Sequence, residues 1–122
     1  MAESNPPFEL EERTFQFALR VRQCVNGHPW SKSQWKDLDQ VLRSSGSVAA
    51  NYSEANNAFS KKDFAHRIGV AKKEAGESKL WLRLLGCTST AEDAKDELRS
   101  LYQEADELVR IFSKIHKSSS GG

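Results

Sequence analysis

Apolar and small residues recur at alternating three- and four-residue steps along most of this chain, the signature of helices with one buried face. The first such stretch runs from about Phe8 to Asn26, with Leu10, Thr14, Phe17, Val21 and Cys24 in one stripe. NGHPW, at residues 26–30, breaks it. The second begins near Ser31 or Ser33, either serine being a suitable N-cap, and its stripe reads Trp35, Leu38, Leu42, Ser45, Ala49 and Tyr52. The third starts after Ser60, a good N-cap with Asp63 behind it, and carries Phe64, Ile68, Ala71, Ala75, Ser78, Leu82 and Leu85. GCTST, at residues 86–90, closes it, with Gly86 suited to a helix end. The fourth starts after Thr90, with Glu92 and Asp93 in the first turn, where the helix dipole favours acids. Its stripe is Ala91, Ala94, Leu98, Leu101, Ala105, Leu108, Phe112 and Ile115.

Strand-type alternation is nowhere sustained, and prolines stand only at positions 6, 7 and 29, so nothing after residue 30 forbids long helices. Four helices with short connections predict an all-α fold, an antiparallel up-down four-helix bundle. A mean stripe interval of about 3.5 residues favours near-parallel packing with a slight left-handed supercoil. The bundle is expected over residues 8–117, between a disordered N-terminal tail at 1–7 and a flexible Ser/Gly tail at 118–122.

One stretch resists the pattern. RSSGSVAANYSEA, residues 43–55, has the composition of a loop. At about 100° per residue it nevertheless divides into two faces. Leu42, Ser45, Ala49 and Tyr52 continue the core stripe, while Arg43, Ser47, Asn51 and Glu54 form a second, polar one. A loop has no reason to keep both periods in phase with Trp35 and Leu38, so the second helix is predicted to run unbroken through Gly46. The glycine costs roughly 1 kcal/mol of helix propensity against alanine, which packing must offset. Small side chains admit a close neighbour, and the polar stripe can hydrogen-bond across the contact or lie in solvent.

Composition narrows the class. With 122 residues, 38% hydrophobic and 29% charged, the chain fits a single helix-rich soluble domain. The formal net charge of +1 does not announce a nucleic-acid binder, so any basic surface must come from local segregation. No signal peptide or membrane span is visible, which makes the cytoplasm the expected location. Cys24 and Cys87 form no CxxC pair and are expected as free thiols packed like small hydrophobes.

The stretches FELEERTFQFALRV, LRSSGSVAANYSEA and KKDFAHRIGVAKKEAGESKLWLRLL, in that order and spacing, resemble the four-helix-bundle family of 23S rRNA intervening-sequence proteins. The matching residues are Glu12, Arg13, Thr14, Arg43, Ser44, Ser47, Ala50, Asn51, Glu54, Asp63, Phe64, Ala71, Lys73, Glu74, Ala75, Glu77, Trp81 and Leu82, within residues 8–85. The resemblance implies a four-helix protomer assembled as a homopentameric barrel. It also implies kinship with the accessory variability determinant of diversity-generating retroelements, which binds nucleic acid and partners a reverse transcriptase.

The third helix carries its own signs of binding and assembly. Lys61, Lys62, Lys72, Lys73, Lys79 and Arg83 fall within about 120° of its circumference, beside Ala65, Gly69 and Gly76. Residues 60–88 hold seven Lys/Arg against three acids, and residues 90–118 hold seven acids against five bases. A basic ridge of this kind could hold a phosphate backbone, or it could be an ordinary solvated face. At the end of the same helix Leu80, Trp81, Leu82, Leu84 and Leu85 surround most of the circumference, more than one core can bury. Trp81 and Leu84 lie away from the core stripe and point to self-association.

Catalytic patterns are missing. There is no HExxH, P-loop, GxSxG or paired CxxC. His28, His66 and His116 lie in separate segments, and Asp63 with His66 is the only carboxylate–histidine pair at i,i+3. A carboxylate-bridged di-iron bundle needs two Glu-x-x-His elements. No catalytic residue, metal or cofactor is therefore expected. Glu54, Glu74 and Glu77 are expected to pair with Arg13, Arg43 or Arg67. The expectation is a non-enzymatic, oligomeric nucleic-acid-binding protein, a possible accessory of a reverse transcriptase in a diversity-generating retroelement. The alternative is a protein–protein adaptor of the same pentameric fold, and a metal-dependent bundle enzyme stands third. On either of the first two readings Arg43, Ser47, Asn51, Glu54, Trp81 and Leu84 mark a helix or protomer interface.

Overall fold

The computed structural model describes residues 6–120. Among them are four α-helices, α1 (Pro6–Gly27), α2 (Trp35–Asn56), α3 (Lys61–Thr88) and α4 (Glu92–Ser120), with a 3-10 turn at Lys32–Gln34 and no strand. Of the expected tails, residues 1–5, 121 and 122 lie outside the described residues, whereas 6, 7 and 118–120 are helical and extend α1 and α4. Pro6 and Pro7 fit the first turn of α1, where a missing N–H breaks no bond.

Local chemistry sets the other boundaries. The Ser60 hydroxyl accepts the Asp63 backbone N–H at 3.0 Å and starts α3. Ahead of α2, the Ser31 N–H donates to the Gln34 side-chain oxygen at 2.9 Å, so the chain enters through the 3-10 turn. Gly86 does not stop α3. The helix runs on to Thr88, whose hydroxyl donates to the Leu84 carbonyl at 2.9 Å.

Each pairing descends on one helix as it ascends on the next. Arg43 reaches Glu74 and Arg67 reaches back to Asn51, between α2 and α3. Lys79 meets Asp106 and Gly69 lies under His116, between α3 and α4. Arg22 meets Ser45 and Asn56 meets Glu11, between α1 and α2. Arg13 meets Glu104 and Arg20 meets Ser100, closing α4 onto α1. All four seams are antiparallel. α2 and α4 both pack most extensively on α3, and the α1–α4 seam is the thinnest. No helix among the described residues is long and apolar enough to cross a membrane.

The stripes of α1, α3 and α4 bury largely as expected, with Phe64 and Ile115 half-buried and Ala91 exposed at the ends. Tyr52 and Phe112 meet across the core with ring centroids 6.0 Å apart. On α2 the expected stripe needs correction. Leu38, Val41, Ser44, Ser45, Val48, Tyr52 and Ala55 are buried, Leu42 and Ala49 are half-buried, and Trp35 is 55% exposed. The buried face is turned by roughly 70° from the one anchored on Trp35. The reason is that α2 is wedged between α1 and α3 and buries a sector facing both. Trp35 stands about 120° from the centre of that sector, so the largest residue is left outside.

Helix α2 does run unbroken through Gly46, and two contacts show why. On the α3 side, Ser44 and Ser78 are fully buried with their hydroxyls 2.8 Å apart. Ser78 spends its proton on the Glu74 carbonyl at 3.0 Å, so Ser44 is the donor between the helices. On the α1 side, the Arg22 guanidinium donates to the Leu42 carbonyl at 3.0 Å and the Ser45 hydroxyl at 3.2 Å. It lies where a Gly46 side chain would be: a Cβ there would stand 2.9 Å from Nη2. Gly46 thus trades propensity for the arginine's seat. Gly46→Ala should be close to neutral in the wild type but stabilising by about 1 kcal/mol in an Arg22→Ala background. A urea-denaturation double-mutant cycle measures the difference; equal effects in both backgrounds would mean that Arg22 does not require the glycine.

Candidate nucleic-acid interface

The polar stripe of α2 is a stitch between helices of one chain. Arg43 Nη1 donates to Glu74 at 3.2 Å and its Nη2 to Glu77 at 2.7 Å. The Asn51 amide donates to the Ser47 carbonyl at 2.9 Å and hydroxyl at 3.0 Å, and its oxygen accepts from Arg67 at 3.3 Å. Glu54 faces Arg67 at 3.9 Å. Glu74 is buried, so its carboxylate depends on Arg43 for compensation. These contacts hold the opposite flank of α3, with its lysines, turned outward.

Lys61, Lys62, Lys72, Lys73 and Arg83 are exposed and take part in no ion pair among the described residues. Lys79 departs from the set expected to bind nucleic acid. Its Nζ is 2.8 Å from Asp106 and 5.4 Å from the centre of the Tyr102 ring, and the side chain is only 27% exposed. It straps α3 to α4, and its hydrogen bond and charge hold the Asp106 carboxyl below the usual carboxylate range. Of the small residues beside the lysines, Gly76 is open, whereas Gly69 is covered by the His116 ring.

The register adds residues that the sequence pattern did not bring together. The acids of α4 lie between Glu92 and Glu107, and Glu104 and Glu107 take Arg13 at 2.7 Å or slightly more. Beyond Glu107, α4 has Arg110, Lys114 and Lys117 and no acid. Antiparallel packing sets this end beside the lysine-rich first half of α3, as His116 over Gly69 shows. Arg110, ion-paired with Asp106 at 3.1 Å, and Lys117 follow Asp106 at helical spacing, on the flank turned to α3. The signal in the sequence was the acid-free end of α4, but only the topology says which part of α3 it joins.

The apolar end of α3 is half covered. Trp81 lines a cleft with Lys36, Asp37 and Gln40 of α2, and its indole N–H is buried without an acceptor among the described residues. Leu80 is 50% and Leu84 38% exposed, and at the head of α2 Trp35 is exposed as well. Cys87 is exposed and does not pack as a small hydrophobe, since it lies on the outer face of α3. Cys24 is buried as expected. Burial pushes its thiol up to about 12, with the charge of Glu97 adding to the shift.

Among the described residues one group has metal-ligating character: Cys24, His28 and Glu97, whose ligand atoms all lie within 4.8 Å of one another. Asp63 and His66 belong to no such group. His28 follows Cys24 by four residues and hydrogen-bonds Glu97 across the α1–α4 seam, Nε2 to Oε1, at 3.1 Å. A search for carboxylate–histidine pairs passes over a Cys-x-x-x-His spacing whose carboxylate is supplied by another helix.

The chain is thus an all-α four-helix protein with an internally stitched α2–α3 pair and an outward basic flank. The chain belongs to the family described as 23S rRNA-intervening sequence protein, whose model matches residues 8–114. It is similar to the crystal structure of a protein with unknown function from the S23 ribosomal protein family of Bacteroides thetaiotaomicron. That likeness has a TM-score of 0.72 and 28% identity, over 88% of this chain and 97% of the other. No curated protein matches the sequence.

Arg43→Ala should destabilise the fold by about 1–2 kcal/mol, since Glu74 is left buried and uncompensated while Arg43 itself is partly exposed. Adding Glu74→Gln should restore part of that loss. A chemical-denaturation cycle checks the coupling, and additive effects would show that the pair contributes nothing specific.

Proposed function

We propose that the protein is a non-enzymatic, oligomeric accessory protein that grips the phosphate backbone of a nucleic acid through the outer flank of α3. The observation that carries this reading is the run of unpaired Lys61, Lys62, Lys72 and Lys73, extended by Arg83 and flanked by the acid-free end of α4. Nearly all the acids within reach are already paired with Arg13, Arg43, Arg67 or Lys79. Positive potential on this flank is therefore not neutralised from within the chain. About 12 residues of helix separate Lys61 from Lys73, roughly 18 Å, enough to span several phosphates. Contacts of this kind carry no base specificity.

The family resemblance supplies the finer part of the proposal: five copies in a barrel, serving a reverse transcriptase. Exposed Leu80 and Leu84, one helical turn apart on the outer face of α3, support self-association, since a second protomer would cover them. If that patch instead receives a different protein and no nucleic acid binds, the protein is an adaptor.

Fluorescence anisotropy with a labelled single-stranded RNA and a labelled DNA duplex tests the binding. Affinity should fall linearly with salt on a log–log plot, with a slope of about −0.7 to −0.9 per phosphate contacted. Changing Lys61, Lys62, Lys72 and Lys73 together to Glu should abolish retention while leaving helicity intact. Lys79→Gln should weaken the α3–α4 seam and leave retention in place. Undiminished binding by the quadruple variant would refute the assignment. Separately, native mass spectrometry should find an oligomer that Leu84→Glu disperses, and a monomer at micromolar concentration would remove the assembly.

A further inference from the structure

The α1–α4 seam carries a feature unrelated to the basic flank. Cys24 sits at the end of the α1 core stripe, His28 directly follows the helix, and Glu97 comes from the second turn of α4. The loop between α1 and α2 fixes the imidazole. Trp30 anchors it by donating its indole N–H to the Val25 carbonyl at 2.9 Å, and its ring meets that of His28 edge-on at 6.1 Å. The His28 side chain is only 10% exposed although it lies in a loop. A cleft lined by Arg20, Gln23, Asp96 and Ser100 opens beside Glu97 and offers a route from solvent.

From this arrangement we propose that Cys24, His28 and Glu97 bind one zinc ion per chain, tying the end of α1 to α4. One thiolate, one imidazole and one carboxylate form a donor set suited to a borderline ion, not to magnesium or calcium. Around a tetrahedral zinc, a nitrogen and an oxygen ligand stand about 3.3 Å apart, and sulfur stands about 3.6 Å from either. The His28–Glu97 separation of 3.1 Å is close to the first value. The 4.8 Å limit on the whole group leaves an adjustment of roughly 1 Å that side-chain rotation supplies. On binding, the Cys24 S–H bond gives its proton to solvent, sulfur donates a lone pair to zinc, and water completes the fourth position. Zinc would bridge the seam that has least protein contact.

Titration calorimetry of the reduced full-length protein with zinc chloride should give one ion per chain, and zinc should raise the melting temperature. Cobalt(II) in its place should show the thiolate-to-cobalt charge-transfer band. His28→Ala and Glu97→Gln, both outside the core, should each weaken zinc at least about tenfold with unchanged circular dichroism. Cys24→Ser should remove the charge-transfer band, and Cys87→Ser should leave it. Failure to bind zinc, a band that survives in Cys24→Ser or disappears in Cys87→Ser, or wild-type affinity in His28→Ala or Glu97→Gln would overturn the site.

Discussion

The contact between Ser44 and Ser78 governs how the rest of the molecule is placed. Two short side chains can meet at 2.8 Å inside a core only if their helices come close together. Larger residues here would hold α2 and α3 apart and break the register in which Arg43 reaches Glu74 and Arg67 reaches Asn51. The polar stripe is thus a consequence of close approach, since its hydrogen bonds form only across a narrow seam. With α2 locked on one flank of α3, α4 takes the other through Lys79 and the core residues Ile68 and Phe112.

Charge follows from the same register. In a chain of net charge +1 the useful quantity is which charges remain unpaired after folding. Arg13, Arg43 and Lys79 are consumed in seams, and they take up Glu74 and Glu77 of α3 and Glu104, Asp106 and Glu107 of α4. What is left lies mainly at one end of the α3–α4 pair and is basic there, although α4 as a whole is acidic. Helix-by-helix totals conceal this. The segregation runs along the bundle axis as well as between helices.

Cys24 shows how one position can satisfy two demands. As a small apolar residue it completes the α1 stripe, with 1% of its surface exposed. Its sulfur nevertheless faces the seam where His28 and Glu97 meet. In a helical stripe such a residue is indistinguishable from a packing cysteine, because the periodicity reports only which side is inward.

The number and order of helices, their approximate limits, the Ser60 cap, the continuity of α2 through Gly46 and three of the four core stripes were legible in the sequence. All of these rest on local periodicity and local hydrogen bonding. Tertiary structure decided the rest. It turned the core face of α2 from Trp35, Leu42 and Ala49 toward Val41 and Val48, because burial of a helix wedged between two others depends on where those two lie. It assigned Arg43, Asn51 and Glu54 to a seam within the chain, withdrew Lys79 from the basic flank, left Cys87 exposed, and brought the end of α4 to the start of α3. It also joined Cys24 and His28 to Glu97, far away in the chain. Each of these depends on which residues of other helices stand opposite, and the spacing within a single helix does not contain that distance.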